Sequence, residues 1–200
     1  MQLSAIKKST LLDYPGKIAT IVFTPGCNLR CWYCHNREFV LPEELQKIRH
    51  DFIEKEVFFR FLVTRVGFLD GVVICGGEPT IHKDLPNFCQ RIKDLGFLVK
   101  LDTNGGNTPM LECLLEKKLL DYVAMDIKQN FDAYAQITGR SIDISSYQKS
   151  IELIKMRAPD YEFRTTLIRW VHSHEDMMSL WTKNLLESLF LRKSFWYFRI

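Results

Sequence analysis

Short apolar runs alternate with longer amphipathic stretches along almost the whole chain. The first run, KIATIVF (17–23), is β-branched and apolar and ends before Pro25 and Gly26, which is typical of a buried strand. Similar runs predict further strands, at 71–75, 97–103, 121–127, 161–168 and 195–200. The stretches between them have helical spacing and predict helices at 42–67, 83–96, 108–120, 131–139, 146–157 and 174–190.

Strands that alternate with helices predict right-handed β-α-β units and a parallel sheet. Six such strands predict an α/β fold, an open partial (β/α)6 barrel with parallel strands. We expect residues 1–200 to form a single domain with its core at about 17–200 and an N-terminal extension at 1–16. In parallel barrels the chemistry lies where the strands end, and the most unusual residues of this chain follow strand ends.

Charge and hydrophobicity narrow the class of protein. The 200 residues carry a formal net charge of +3, and no run of like charges indicates a nucleic-acid partner. No stretch approaches the roughly 20 apolar residues that cross a bilayer, and residues 1–17 lack the apolar segment of a secretory signal. We therefore expect a cytosolic protein without membrane partners. Because cytosolic thiols stay reduced, the six cysteines indicate a metal or cluster better than disulfides.

Three cysteines lie close together in the segment GCNLRCWYCHN (26–36). Cys27, Cys31 and Cys34 have the spacing C-x3-C-x2-C and follow the first predicted strand. Thiolates bind zinc or iron–sulfur clusters, and three cysteines on a four-iron cluster leave one iron open to a substrate or cofactor. Zinc with His35 as a fourth ligand is the alternative. Zinc ligands usually come as two separated pairs, so the spacing favours a cluster.

Five segments together resemble the radical S-adenosylmethionine (SAM) superfamily. They are DYPGKIATIVFTPGCNLRCWYCHN (13–36), GGEPT (76–80), LDTNG (101–105), AMDIK (124–128) and EFRTT (162–166). In this order they are similar to the activating proteins of anaerobic ribonucleoside-triphosphate reductases. The resemblance covers roughly residues 4 to 185 and implies a partial barrel of radical SAM type.

The resemblance also implies a set of cofactor residues. The three cysteines would hold a [4Fe–4S] cluster whose fourth iron is chelated by the amino and carboxylate groups of SAM. The other positions that match the family's cofactor site are Tyr33, His35, Gly76, Gly77, Glu78, Pro79, Asp102, Thr103, Asn104, Asp126, Lys128 and Arg164.

Individual roles follow from the same resemblance. Tyr33 would pack near the adenine. Gly76 and Gly77 have no side chains and would let the backbone approach the methionine amino group closely. Glu78 and Pro79 would shape that loop. Three residues match positions around SAM and a bound monovalent cation, namely Asp102, Thr103 and Asp126. Lys128 and Arg164 match positions that contact SAM or approach its carboxylate or ribose, and His172 would help to position SAM.

The implied reaction is reductive cleavage of SAM at the cluster, which yields methionine and a 5′-deoxyadenosyl radical. That radical would take a hydrogen atom from a glycine α-carbon in a large partner enzyme, with a flavodoxin or ferredoxin as electron donor. Another glycyl-radical enzyme, a small molecule or a peptide remains an alternative substrate. A non-catalytic zinc or electron-transfer protein is the alternative of another class.

One residue departs from the family pattern. Cys75 stands where relatives usually have serine or threonine, close to the glycine loop. It is either a small buried apolar residue or an oxidation-sensitive thiol.

Overall fold

The computed structural model describes residues 1–168, 171–173, 175 and 196–199. Its strands, in chain order, are β1 (Gln2–Leu3), β2 (Ala5–Thr10), β3 (Ala19–Thr24), β4 (Ile53–Glu54), β5 (Gly71–Gly76), β6 (Leu98–Thr103), β7 (Tyr122–Asp126), β8 (Tyr161–Ile168) and β9 (Trp196–Arg199). The helices are α1 (Pro42–Ile48), α2 (Lys55–Val63), α3 (Leu85–Asp94), α4 (Thr108–Glu116), α5 (Tyr134–Thr138) and α6 (Ile144–Arg157). Short 3-10 helices cover Arg37–Phe39, Arg49–Asp51, Pro79–Ile81 and Phe131–Ala133.

Seven of these strands form one sheet in the order β2-β3-β5-β6-β7-β8-β9. From β3 onward each strand is parallel to its neighbour, and helices lie in the connections between β3 and β8. The register pairs Thr24 with Gly76 and Asp126 with Arg164, so the carboxyl ends of the strands meet along one edge. The predicted α/β fold with six parallel strands in a partial barrel is confirmed.

The segment before residue 17 contains structure that the sequence does not predict. β2 pairs antiparallel with β3 at the edge of the sheet, and β1 pairs with β4 in a separate two-stranded sheet. The composition of β2, AIKKST, places lysines on an edge strand, where charged side chains discourage pairing with another chain. That residues 1–200 form one domain stays a prediction.

The helix predicted at 42–67 is wrong as a single element. A 3-10 turn and β4 separate α1 from α2, because Ile53 pairs with Leu3 of β1 and tertiary pairing overrides local helix propensity. α2 buries Phe58, Phe59 and Leu62 in the core. The helix predicted at 174–190 lies outside the described residues, apart from Glu175.

Alternate residues of β6, β7 and β8 point to opposite faces of the sheet. On the outer face Val99, Leu101, Val123 and Met125 pack in the main hydrophobic core with residues of the helices. The inner face carries a smaller apolar cluster that includes Tyr122 and Ala124. Beside this cluster it carries the charged side chains of Lys100, Asp102, Asp126, Glu162 and Arg164, which contact one another. Because branched apolar residues usually fill parallel barrels, the charged part of this interior is unusual.

None of the helices in the described part of the chain is long and apolar enough to span a membrane.

Candidate cofactor site

A cavity of about 320 Å³ lies where the parallel strands end. Its wall contains nearly every residue that the sequence assigns to a cofactor site, namely Cys27, Cys31, Tyr33, Cys34, His35, Gly76, Gly77, Glu78, Asp102, Thr103, Asn104, Asp126, Lys128 and Arg164. Pro79 is buried and begins the 3-10 turn behind this wall. Residues not assigned from the sequence complete the lining, namely Leu29, Asn36, Val40, Cys75 and Thr166.

The cysteine loop is held by hydrogen bonds along its backbone. Gly26, at a φ of +84°, donates from its N–H to the carbonyl of Phe39 at 2.7 Å. The Arg30 guanidinium donates to the carbonyls of Cys27 and Leu29 at 2.6 and 2.7 Å, and the Arg30 N–H donates to the carbonyl of Thr138 at 2.8 Å. These hydrogen bonds hold the loop against the segments that contain Phe39 and Thr138, and all three cysteines line the cavity.

Burial keeps the thiols of Cys27 and Cys31 neutral in the metal-free protein. It raises the pKa of Cys27 to about 12 and also raises the pKa of Cys31, so binding of a metal would have to release the thiol protons. Among the described residues, no three His, Cys, Asp or Glu side chains surround a point that one metal ion could occupy. A four-iron cluster does not need such convergence, because each cysteine binds its own iron.

The glycine loop after β5 touches the cysteine loop directly. A Cβ on Gly77 would lie 1.8 Å from the Gly26 carbonyl oxygen, and one on Gly76 would lie 2.2 Å from the Thr24 nitrogen. The N–H groups of Gly77 and Glu78 donate to the carbonyls of Thr24 and Gly26, both at 2.8 Å. The glycines therefore permit contact between the two loops, in addition to the approach to methionine that the resemblance implies.

Asn36 adds a side-chain link between the same two loops. Its amide donates to the carbonyl of Gly76 at 3.2 Å. The sequence places Asn36 directly after the cysteine motif, but nothing in its local pattern indicates a partner forty positions away.

Glu78 joins the loops that follow β5 and β6. It is 1% exposed and accepts hydrogen bonds from the Thr80 N–H and hydroxyl at 3.1 and 2.6 Å. It also accepts from the Thr103 hydroxyl and the Asn104 N–H, both at 2.7 Å. Burial raises the pKa of Glu78. Its carboxyl oxygens are engaged within the protein, which agrees with the loop-shaping role that the resemblance implies.

The charged groups of the wall form ion pairs with one another. The Asp126 carboxylate lies 2.8 Å from the Lys128 ammonium and 3.1 Å from the Arg164 guanidinium, which also lies 3.1 Å from Asp102. Burial alone would raise the pKa of Asp126, but the two cations outweigh it and lower that pKa. Burial likewise opposes the charged forms of Lys128 and Arg164, yet the carboxylates raise the pKa of both. Asp126, Lys128 and Arg164 are therefore charged at neutral pH.

Two further charged residues, Lys100 and Glu162, lie beneath the cavity wall. They are 1% and 5% exposed, and the Lys100 ammonium contacts the carboxylates of Asp102 and Glu162. Neither residue is assigned to the site from the sequence, since lysine and glutamate are usually solvated. The signal that could have found Lys100 is strand alternation, which places it on the same face as Asp102.

Lys128 is positioned through its backbone. Its N–H donates to the Tyr134 hydroxyl at 3.2 Å, and its carbonyl lies 3.0 Å from His172 Nε2. Because His172 Nδ1 accepts the N–H of Ile168 at 3.0 Å, the neutral ring carries its proton on Nε2 and donates it to Lys128. His172 does not line the cavity, so it contributes by holding Lys128.

The Tyr33 side chain provides the clearest test of fit to a ligand. Its hydroxyl is buried and has no hydrogen-bond partner among the described residues, although buried hydroxyls are normally paired. Burial raises the pKa of Tyr33, so the hydroxyl can donate. An unpaired donor, three thiols and groups of both charges line one cavity, and this set of residues fits an iron–sulfur cluster with a zwitterionic ligand.

Comparison with known proteins agrees with this geometry. The family model of the radical SAM superfamily matches residues 21–180. A protein of Methanocaldococcus jannaschii, named as a candidate glycyl-radical enzyme activating enzyme, is 37% identical over 183 residues, which cover 88% of this chain and 72% of the relative. The pyruvate formate-lyase-activating enzyme of Clostridium pasteurianum is 31% identical over 160 residues, which cover 78% of this chain and 65% of that enzyme.

A solved structure agrees at the level of the fold. The crystal structure of QueE from Escherichia coli matches with a TM-score of 0.50 and 16% sequence identity, over 92% of this chain and 90% of that one.

Proposed function

This chain belongs to the radical SAM superfamily, and we propose that it generates a glycyl radical on an anaerobic ribonucleoside-triphosphate reductase. The observation that carries the proposal is the single cavity at the strand ends, whose wall combines three thiols with charged groups of both signs. The order of the five sequence segments supports the choice of reductase. The relative named for glycyl-radical enzyme activation supports the class of partner.

In this proposal Cys27, Cys31 and Cys34 hold a [4Fe–4S] cluster, and SAM lies against the rest of the wall. When bound, the cluster supplies the electron that cleaves SAM and so provides the radical that attacks glycine. The side chains bind, orient and exclude water rather than transfer protons. Lys128 and Arg164 offer positive charge to the carboxylate or ribose of SAM. The unpaired Tyr33 hydroxyl offers one further hydrogen bond to the ligand.

The partners follow from the same chemistry. We propose a flavodoxin or ferredoxin as the electron donor and the cytosol as the location, because the cysteines of a cluster need a reducing compartment. The partner's glycine loop would enter the cavity from the edge of the open sheet.

Mixing the anoxically reconstituted protein with SAM, a reductant and a purified anaerobic ribonucleotide reductase tests this proposal. We expect the electron paramagnetic resonance signal of a glycyl radical on the reductase, together with release of 5′-deoxyadenosine. Cys31→Ala should abolish both products. Cys89→Ala, which removes a thiol buried in the hydrophobic core, is the matched control and should retain both. Cleavage of SAM without a radical on the reductase would overturn the choice of partner.

A second candidate partner is pyruvate formate-lyase, since one relative is named for its activation. Offering both enzymes in parallel distinguishes the two candidates. A glycyl radical on pyruvate formate-lyase alone would replace the first candidate with the second.

A further inference from the structure

A balanced set of charged side chains lies on the wall of the cofactor cavity and directly beneath it. Three cations and three anions take part, contributed by β6, β7, β8 and the residues directly after β7. They are Lys100, Lys128, Arg164, Asp102, Asp126 and Glu162. A charge removed from water is costly unless it is paired with an opposite charge. The three cations and three anions of this set can pair with one another.

All four carboxylate oxygens of Asp102 and Asp126 already contact a cationic group. Asp102 Oδ1 lies 2.5 Å from the Lys100 ammonium, and Oδ2 lies 3.1 Å from the Arg164 guanidinium. Asp126 Oδ1 lies 3.1 Å from Arg164 Nε, and Oδ2 lies 2.8 Å from the Lys128 ammonium. A metal cation at either carboxylate would therefore have to share the oxygens with an ammonium or guanidinium group, whose positive charge repels it.

The hydroxyl of Thr103 is also engaged. It donates to Glu78 Oε1 at 2.7 Å and accepts the N–H of Gly105 at 3.1 Å. Thr103, Asp102 and Asp126 are the residues that the resemblance assigns to a bound monovalent cation. Because these oxygens are engaged by protein groups and positive charge already lies beside both carboxylates, the three residues do not fit that ion in this chain.

Lys100 is fixed more firmly than an exchangeable ion. Its side chain is 1% exposed, and a second carboxylate, Glu162, lies 3.7 Å from its ammonium. The ring of Tyr122 lies 5.6 Å away, close enough for a cation–π interaction. If the ammonium moved to solvent, Asp102 and Glu162 would each lose one of the two cations that contact them and would keep only Arg164.

We propose that Lys100 is the resident cation of the cofactor site: its ammonium supplies the positive charge beside Asp102, and the site uses no bound Na⁺ or K⁺. Lys100 is then a positioning residue, which holds Asp102 in place on the cavity wall. The inference deepens the proposed function because it concerns the same site, but its test needs neither a partner enzyme nor turnover.

The first measurement is thermal unfolding of the anoxically reconstituted protein in NaCl, KCl and tetramethylammonium chloride at equal ionic strength. Tetramethylammonium is too large to replace a small metal ion. We expect the same unfolding midpoint in all three salts, to within about 1 °C, a shift that corresponds to a fraction of a kcal/mol in a protein of this size. A saturable rise of the midpoint in millimolar Na⁺ or K⁺ would overturn the proposal.

The second measurement uses variants of Lys100. Lys100→Met removes the ammonium and should make the protein dependent on a small cation, so that Na⁺ or K⁺ raises its midpoint and tetramethylammonium does not. Lys100→Arg retains the charge and should remain indifferent to the salt. A folded Lys100→Met protein that is equally indifferent contradicts the proposal.

A double variant covers the case in which Lys100→Met folds in none of the salts. Lys100→Met with Glu162→Gln removes one charge of each sign, which leaves Asp102 and Asp126 balanced by Lys128 and Arg164. We expect this variant to fold and to be indifferent to the salt. Cation dependence of the double variant or of Lys100→Arg would contradict the proposal. Cleavage of SAM, assayed separately, reports on the proposed function and can fail independently.

Discussion

Gly77 illustrates how one residue connects two distant parts of the sequence. The sequence indicates a glycine-rich loop near a cofactor, and the structure adds that the Gly26 carbonyl fills the space where a side chain would begin. The residue type could be predicted, but its packing partner could not, because that contact depends on the register between β3 and β5.

Gly77→Ala should therefore separate the glycine loop from the cysteine loop. We expect a loss of roughly 3 kcal/mol or more in the free energy of unfolding, the range of severe steric changes, and less iron bound per chain. Urea denaturation and iron analysis measure the two effects. Gly67→Ala is the control, because a Cβ there meets nothing within 4 Å although its φ is +80°; it should cost only about 1–2 kcal/mol and leave the iron content unchanged.

Asp126 carries a prediction about pH. Its pKa is lower in the folded protein than in the unfolded chain, so its ion pairs stabilise the fold above the ordinary carboxyl pKa, and this contribution is lost as the pH falls through the folded-state pKa. Asp126→Asn should cost about 1–3 kcal/mol at pH 7, because Lys128 loses its carboxylate partner while Arg164 keeps Asp102.

The difference in unfolding free energy between Asp126→Asn and the wild type should shrink on acidification. Urea titrations at a series of pH values test this, with the exposed Asp132→Asn as a control that should follow the wild type throughout. A difference that stays constant down to the most acidic pH at which the protein folds would show that Asp126 does not act through its charge.

Strands and helices that are specified by their own local pattern of apolar residues could be predicted from the sequence. Each of the six parallel strands is a short apolar run with a clear end, so its position follows from local pattern. β1, β2 and β4 could not be predicted, because two of them are only two residues long and form by pairing with distant segments. The same pairing divides the predicted helix at 42–67 into α1 and α2.

α2 gives a prediction at the scale of the element. Leu62 is fully buried and Val63, the next residue, is 56% exposed. Leu62→Ala should cost about 2–5 kcal/mol through the cavity that it creates, whereas Val63→Ala should change the stability by no more than about 0.5 kcal/mol. Urea denaturation of the two variants measures the difference. Equal losses would mean that α2 does not pack on the sheet through this face.

At the scale of the whole molecule, the site exists because parallel strands end at one edge. Loops far apart in sequence contribute the thiols, the glycines and the charged groups to one wall, and this convergence follows from the parallel strands that the sequence predicts. The ion pairing inside the barrel could not be predicted, because it depends on which strands are neighbours and in what register.

The central claim is that three cysteines hold a cluster with one iron left open to SAM. Its most direct test is the electron paramagnetic resonance spectrum of the reduced, anoxically reconstituted protein, recorded before and after SAM is added. We predict about four irons per chain, as a [4Fe–4S] cluster requires, and a spectrum that changes when SAM binds. A spectrum that is identical with and without SAM, or a protein that retains zinc instead of iron, would contradict the account.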